Sequence, residues 1–281
     1  MQSNRPISWI IAVCCAVLCA ATPTRAADTT PPAQRIISLK PNITELLFAL
    51  GAGKRVVGVT RWCNYPAAAR RLPKVADYIA PNLEAVFALK PDLVIAAKEN
   101  SIAQPIEQLQ ARGIPVLLVN FSTLNETWEA IRTIGARIGA KVEARQLLAA
   151  LYASVARIAD GATGERPRVL FLTSRTPLIA AGPSSLLGEL LVLAGGTNVV
   201  SATAPAYPQI SLERVIAEKP QIVIDVSDSM ESQGATRTAA VHDAAPLPAL
   251  PRIRVRAVDI DRLRAGPRLG EGLEALREAM Q

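Results

Sequence analysis
Apolar and polar positions fall into one pattern that the chain uses twice, as NLEAVFALKPDLVIAA at 82–97 and as SLERVIAEKPQIVIDV at 211–226. Each copy opens on a capping residue, Asn82 or Ser211, followed by Glu84 or Glu213 in the first turn, where the helix dipole favours an anion. Apolar residues then recur at helical spacing until Lys-Pro, where proline ends the hydrogen-bond ladder. DLVIAA and QIVIDV come next, short, apolar and rich in β-branched residues, as a buried strand requires. Eight of the sixteen positions are identical. Chance rarely gives that, so the unit is an internal repeat of helix, tight turn and strand.

The echo extends upstream. ELLFALGAGKRVVGV at 45–59 and ELLVLAGGTNVV at 189–200 both read as an apolar helix, a glycine cap and a short strand. A strand precedes each copy, RIISL at 35–39 and RVLFL at 168–172, and another follows, IPVLLV at 114–119 and RIRVRAV at 252–258. Alternation of this kind predicts a parallel sheet covered by helices. The expected fold class is α/β, with two similar lobes, each a helix-flanked, mostly parallel sheet.

Between the copies, 123–160 contains no proline and repeats apolar residues at helical spacing, at Trp128, Ile131 and Ile134 and then at Leu147, Leu148, Leu151 and Val155. The pattern predicts a helix to about Gly139 and a longer one from Lys141 to Asp160, roughly 30 Å in length at 1.5 Å per residue. The lobes are then joined by a single long rigid α-helix. The expected organisation is an N-terminal lobe over 27–140, the interlobe helix within 141–165 and a C-terminal lobe over 166–281.

The first 26 residues stand apart. Arg5 precedes an apolar run at 7–21, and Thr24-Arg25-Ala26 puts small residues where a signal peptidase reads. A cleaved signal peptide over 1–26 is expected, since that run is shorter than the ~20 residues that span a bilayer. Cys14, Cys15 and Cys19 would leave with it, and Cys63 would remain as a small buried residue without a disulfide partner. Removing Arg5 and Arg25 takes Lys+Arg from 31 to 29 against 24 acidic residues, a net charge of +5. That modest excess, with no long basic run and few aromatics, argues against nucleic acid as a partner.

Catalytic patterns are scarce. His242 is the one histidine, which removes multi-histidine zinc sites and H-E-x-x-H. HDAAPLP reads as the end of a surface helix followed by a proline-rich loop, which makes His242 a solvated residue. GAGKR at 51–55 is not a phosphate loop, because Phe48 stands where the first glycine belongs and Arg55 where Ser or Thr does. No enzyme is expected, and no resident cofactor or metal.

Loops after the predicted strands are richer, and ligands of open parallel sheets bind beyond the strands' carboxyl ends. TRWCNYP at 60–66, ADYIAP at 76–81 and APAYPQIS at 204–211 concentrate the aromatics, with Lys98, Arg262 and Arg264 in other loops at the same end. Trp62, Tyr78 and Tyr207 are assigned to a cleft, where flat ligands with polar edges suit them. Phe121 and Tyr65 are read as packing under loops.

With these segments in view, the chain resembles the periplasmic substrate-binding proteins of ABC importers for corrinoids, haem and iron-siderophores. Among them the cobalamin-binding branch is the nearest. The resemblance covers essentially all of 27–281 and implies a monomer that binds a small molecule between its lobes. It implies cleft roles for Trp62, Tyr78 and Tyr207, which stand at aromatic positions of that branch. Glu84 and Glu213 match a pair of exposed glutamates, one per lobe, that dock onto arginines of a permease dimer in the inner membrane. Ala97 departs from the branch, standing where it carries another cleft tryptophan. DIDRLRAGPR at 259–268 also lacks its late tryptophan and offers Arg262 and Arg264. The expected ligand is a corrinoid, with haem or a ferric siderophore as the alternative.

Overall fold
The computed structural model describes residues 31–77, 81–98, 103–162, 164–227, 241–244, 247 and 253–281. The expected signal peptide lies outside them, as does Tyr78. The first sheet comprises β1 (Ile36–Ser38), β2 (Val56–Thr60), β3 (Lys74–Ala76), β4 (Leu93–Ala97) and β5 (Val116–Val119). Its order is β3-β2-β1-β4-β5 and every pairing is parallel. Its helices are α1 (Pro41–Ala49), α2 (Leu83–Ala88) and α3 (Ala103–Ala111).

The second sheet comprises β6 (Arg168–Arg175), β7 (Leu178–Ala180), β8 (Thr197–Asn198), β9 (Ile222–Asp225), β10 (Val241–Asp243) and β11 (Arg254–Val258). Its order is β10-β11-β9-β6-β7, with β8 also on β6. The pairings of β9 with β6 and β11 are parallel, and the flanking β7 and β10 are antiparallel. Its helices are α6 (Leu186–Leu193), α7 (Leu212–Glu218) and α8 (Leu269–Ala279). Both sheets lie within one unit, 32–281.

The repeated phrase forms the same unit twice. The side chains of Asn82 and Ser211 accept from the backbone N–H groups of Ala85 and Arg214, starting α2 and α7. Lys90 and Lys219, just before the prolines, have φ of 46° and 47°. A left-handed residue other than glycine costs about 1–2 kcal/mol, so both copies hold the same strained corner. An arginine at the strand preceding each unit caps the helix end. Arg35 donates from Nε and Nη2 to the Leu89 carbonyl at 3.1 and 2.7 Å, and Arg168 donates from Nε to that of Glu218 at 3.1 Å.

Alternation along the strands sorts the core. Val94 and Val223 face outward onto Val86 and Val215 of their own repeat helices, in two separate clusters. Ile95 and Ile224 face inward into one cluster that runs from the first sheet to the second through Ile131, Leu148 and Leu273. Each such buried side chain contributes about 1.5–3 kcal/mol relative to exposure.

The long helix appears as α5 (Lys141–Asp160), preceded by α4 (Leu124–Arg137). The passage between the sheets is made by both helices together. A Cβ at Gly135 of α4 would meet the Cβ of Ala144 of α5 at 2.5 Å, so the glycine sets their close approach. Ala33 and Ile138 carbonyls both accept from Arg55, tying the end of α4 to the first sheet. Farther along, Arg157 of α5 pairs with Glu274 of α8 at 2.6 Å. No helix among the described residues is long and apolar enough to cross a membrane.

One local expectation is corrected. His242 stands in the edge strand β10, opposite Ala257 of β11, and not at the end of a helix. The pairing partner lies 15 residues later, beyond the reach of local periodicity.

Candidate functional site
The carboxyl ends of both sheets open on one cleft of about 530 Å³. Loops leaving β1, β2 and β5 supply Lys40, Trp62 and Phe121 from the first side, and the first turn of α1 supplies Asn42. Tyr207, the start of α6 at Leu186 and Leu187, and Leu263 and Arg264 after β11 supply the other side. Parallel strands leave their connections at this end, so the ligand-facing loops of each sheet converge here.

Two seams hold the sides together. At the first, Leu186 donates its N–H to the Ser122 carbonyl at 2.7 Å, and Leu124 donates to the Glu189 carboxylate at 2.6 Å. At the second, the 259–268 segment lies against α1. Arg268 donates from Nε and Nη2 to the two carboxylate oxygens of Glu45, both at 2.8 Å. Asn42 donates from Nδ2 to the Ala265 carbonyl at 3.1 Å, and Asn64 donates from Nδ2 to Asp261 at 2.9 Å. Gly272 of α8 permits this path, since a Cβ there would collide with the Arg262 carbonyl oxygen.

Glu45 is only 3 % exposed. Burial pushes its carboxyl above the ordinary value, opposed by the hydrogen bonds and charge of Arg268 and by the charge of Arg264. Burial acts to lower the Arg268 value, but the hydrogen bonds and charge of Glu45, with Glu271 and Asp261 beyond, outweigh it and raise the value. The Arg268 guanidinium also lies 4.2 Å over the ring of Tyr65.

Beneath the Trp62 loop a small polar group is closed from solvent. The Cys63 thiol is buried, 3.1 Å from the Thr44 hydroxyl and 3.2 Å from that of Thr60. Thr44 in turn donates to the Ser38 hydroxyl at 2.8 Å. These contacts pin the backbone on which Trp62 is carried into the cleft.

The expected site residues are placed as follows. Trp62, Tyr207 and Arg264 come together on the cleft, with Tyr207 48 % exposed. Phe121 is buried beside them and also lines it. Tyr78 lies outside the described residues, next to Asp77, which lines the cleft and pairs with Arg61 at 2.8 Å. Lys98 is exposed at the end of β4 and is not among the lining residues. Arg262 turns to Asp259 and Glu271, at 4.0 and 3.7 Å. Glu84 and Glu213 are exposed in the first turns of α2 and α7. A hydrogen bond from the Ser211 side chain holds the Glu213 carboxyl below its ordinary value.

Sequence reasoning missed Asn42. It is 3 % exposed and lines the cleft, yet its Oδ1 has no hydrogen-bond partner among the described residues. The same is true of Trp62 Nε1 and Arg264 Nη1. A buried polar atom left unpaired costs about 1–3 kcal/mol, so three around one cleft mark it as built for something polar.

Two helix-covered sheets seamed around a cleft at their carboxyl ends define a two-lobed ligand-binding protein. The sequence profile of the periplasmic binding protein family matches residues 36–245, and the chain belongs to that family. It is similar to the vitamin B12-binding protein of Pectobacterium carotovorum subsp. carotovorum (strain PC1), 30 % identical over 194 residues, which cover 68 % of this chain and 70 % of that one. Among solved structures it is similar to the periplasmic vitamin B12 binding protein BtuF of Vibrio cholerae, with 27 % identity and a TM-score of 0.68 over 89 % of this chain and 98 % of that one. The periplasmic heme-binding protein RhuT from Roseiflexus sp. RS-1 in apo form is similar as well, with 28 % identity and a TM-score of 0.74 over 89 % of this chain and 100 % of that one.

The buried pair at the second seam carries a prediction. Arg268→Met leaves the Glu45 carboxylate without its fork, and unfolding in urea at pH 7 should show a loss of about 3–5 kcal/mol. Without Arg268 the Glu45 value rises further above the ordinary one. A carboxyl raised in the folded state contributes stability that is present below its unfolded value and lost as pH rises through the folded one. The deficit should therefore shrink at pH 4. Equal losses at both pH values would trace the effect to lost packing over Tyr65.

Proposed function
We propose that this protein captures a corrinoid, a cobalamin-type ligand, in its cleft and hands it to an ABC permease dimer in the inner membrane. The observation that carries the reading is the convergence of Trp62 and Tyr207, from the loops of different sheets, on a largely apolar cleft with Arg264 at its side. Aromatic faces give a flat macrocycle large contact area, and a few polar groups fix its orientation. Relatives named for vitamin B12 binding support the choice of ligand. Tyr78 joins the ligand-binding set from the first lobe, while Lys98 and Arg262, which do not line the cleft, would meet only the outer edge of a bound ligand.

In this reading the protein is exported through a cleaved signal peptide over 1–26 and works in the periplasm as a monomer, performing no chemistry on its ligand. The lobes are 27–140 and 166–281, held stiffly by the helix within 141–165 packed against the helix before it. Glu84 and Glu213 present one carboxylate per lobe to the permease. Their equivalent places in the repeat suit a two-fold partner, and exposed charges of this kind steer docking.

A second reading keeps the transport role and changes the cargo to haem or a ferric siderophore. The likeness to a heme-binding structure favours it.

Calorimetric titration of residues 27–281 with cyanocobalamin should give one-to-one binding, weakened at least about tenfold, or 1.4 kcal/mol, by Trp62→Ala. Tight binding of hemin with none of cyanocobalamin would move the cargo to haem. The double variant Glu84→Arg with Glu213→Arg should abolish uptake in cells while leaving the titration unchanged. If affinity fell with uptake, those carboxylates would belong to the site or the fold.

A further inference from the structure
Asn42 and Arg264 sit side by side for reasons the structure makes plain. Asn42 Nδ2 is spent on the carbonyl of Ala265, the neighbour of Arg264. That bond also sets the amide's orientation, since a flipped Asn42 would press oxygen against oxygen. What Asn42 has left, buried in the cleft wall, is an acceptor, Oδ1, without a partner among the described residues. Arg264 Nη2 is engaged by Asp261 at 2.5 Å, and what it has left is a donor, Nη1, likewise without a hydrogen-bond partner among the described residues. One acceptor and one donor, held on adjacent supports, match the two ends of a primary carboxamide.

Charge decides against a carboxylate at the same place. The Arg264 guanidinium already faces Asp261, and Glu45 Oε1 stands 3.9 Å from Nη1. A ligand carboxylate on Nη1 would approach the Glu45 carboxylate, and it would bring only lone pairs to Asn42 Oδ1. An amide brings an oxygen for Arg264 and an N–H for Asn42, with no charge to repel. Trp62 Nε1, the third unpartnered atom on the cleft, adds a neutral donor for a further acceptor on the same rim.

We propose that Asn42 and Arg264 form a carboxamide-reading pair, which selects a ligand rimmed with neutral primary amides over one rimmed with carboxylates. This deepens the corrinoid reading and rests on it. The pair makes Asn42 a specificity-determining residue, since its oxygen is satisfied only by a ligand that donates.

The test compares two corrins that differ at the rim. Dicyanocobyric acid carries six carboxamides, and dicyanocobyrinic acid carries carboxylates in their place. Both are titrated into residues 27–281 beside cyanocobalamin. The amide form should bind at least about tenfold more tightly than the acid form, because a site built to hydrogen-bond a group rejects the analogue that cannot complete the bond. Asn42→Ala should cut that preference several-fold by weakening the amide form, and Asn42→Ser, a smaller polar replacement, should do the same if Asn42→Ala does not fold. Equal affinity of the two corrins with cyanocobalamin bound would overturn the proposal and leave the corrinoid reading standing. A preference that neither variant changes would remove Asn42 from the pair. Failure to bind any of the three would overturn the corrinoid reading and the proposal together.

Discussion
A carboxylate buried between two sheets has to be met by a positive group, and the meeting of Glu45 with Arg268 is the contact on which the site depends. Glu45 belongs to α1 and Arg268 precedes α8, 223 residues later. Their two parallel hydrogen bonds draw the 259–268 segment across to the first sheet. Everything the second side places along this stretch of the cleft follows from that crossing. Arg264 reaches the cleft, Ala265 offers its carbonyl to Asn42, and Asp261 receives Asn64. A bidentate pair fixes orientation as well as proximity, so the segment has one register on α1.

The repeat supplies the matching supports. Each copy puts a short helix on the outer face of its sheet and an interior strand beneath it, with the strand's carboxyl end toward the cleft. The same strained lysine and the same arginine cap recur in both, which makes the two copies equivalent in detail and not in outline only. Equivalent supports facing one cleft are what a binding protein needs to enclose a ligand from both sides. They also place one exposed glutamate on each repeat helix.

Much of this was legible in the chain. Capping residues, the Lys-Pro stop and β-branched strands are local signals, so the repeated units, the long helix and the two-sheet class could be read directly. Trp62 and Tyr207 could be assigned because large aromatics in loops after strands are unusual without something to cover them. The rest depends on distant contacts. Nothing near Asn42 distinguishes it from an ordinary first-turn asparagine, since its meaning comes from the Ala265 carbonyl. Arg262 and Arg264 are indistinguishable in DIDRLRAGPR, yet one turns to Asp259 and Glu271 while the other lines the cleft. His242 took its strand from β11, a partner that local reading does not see.

The central claim is that one cleft, seamed by Glu45 and Arg268, receives the macrocycle between aromatics of the two sides. A crystal structure of residues 27–281 grown with cyanocobalamin tests it most directly. The account predicts the corrin ring in contact with Trp62 and Tyr207, an amide on Asn42 and Arg264, and the Glu45–Arg268 pair intact. A corrin bound elsewhere on the surface, or one admitted only after that pair has separated, would contradict it.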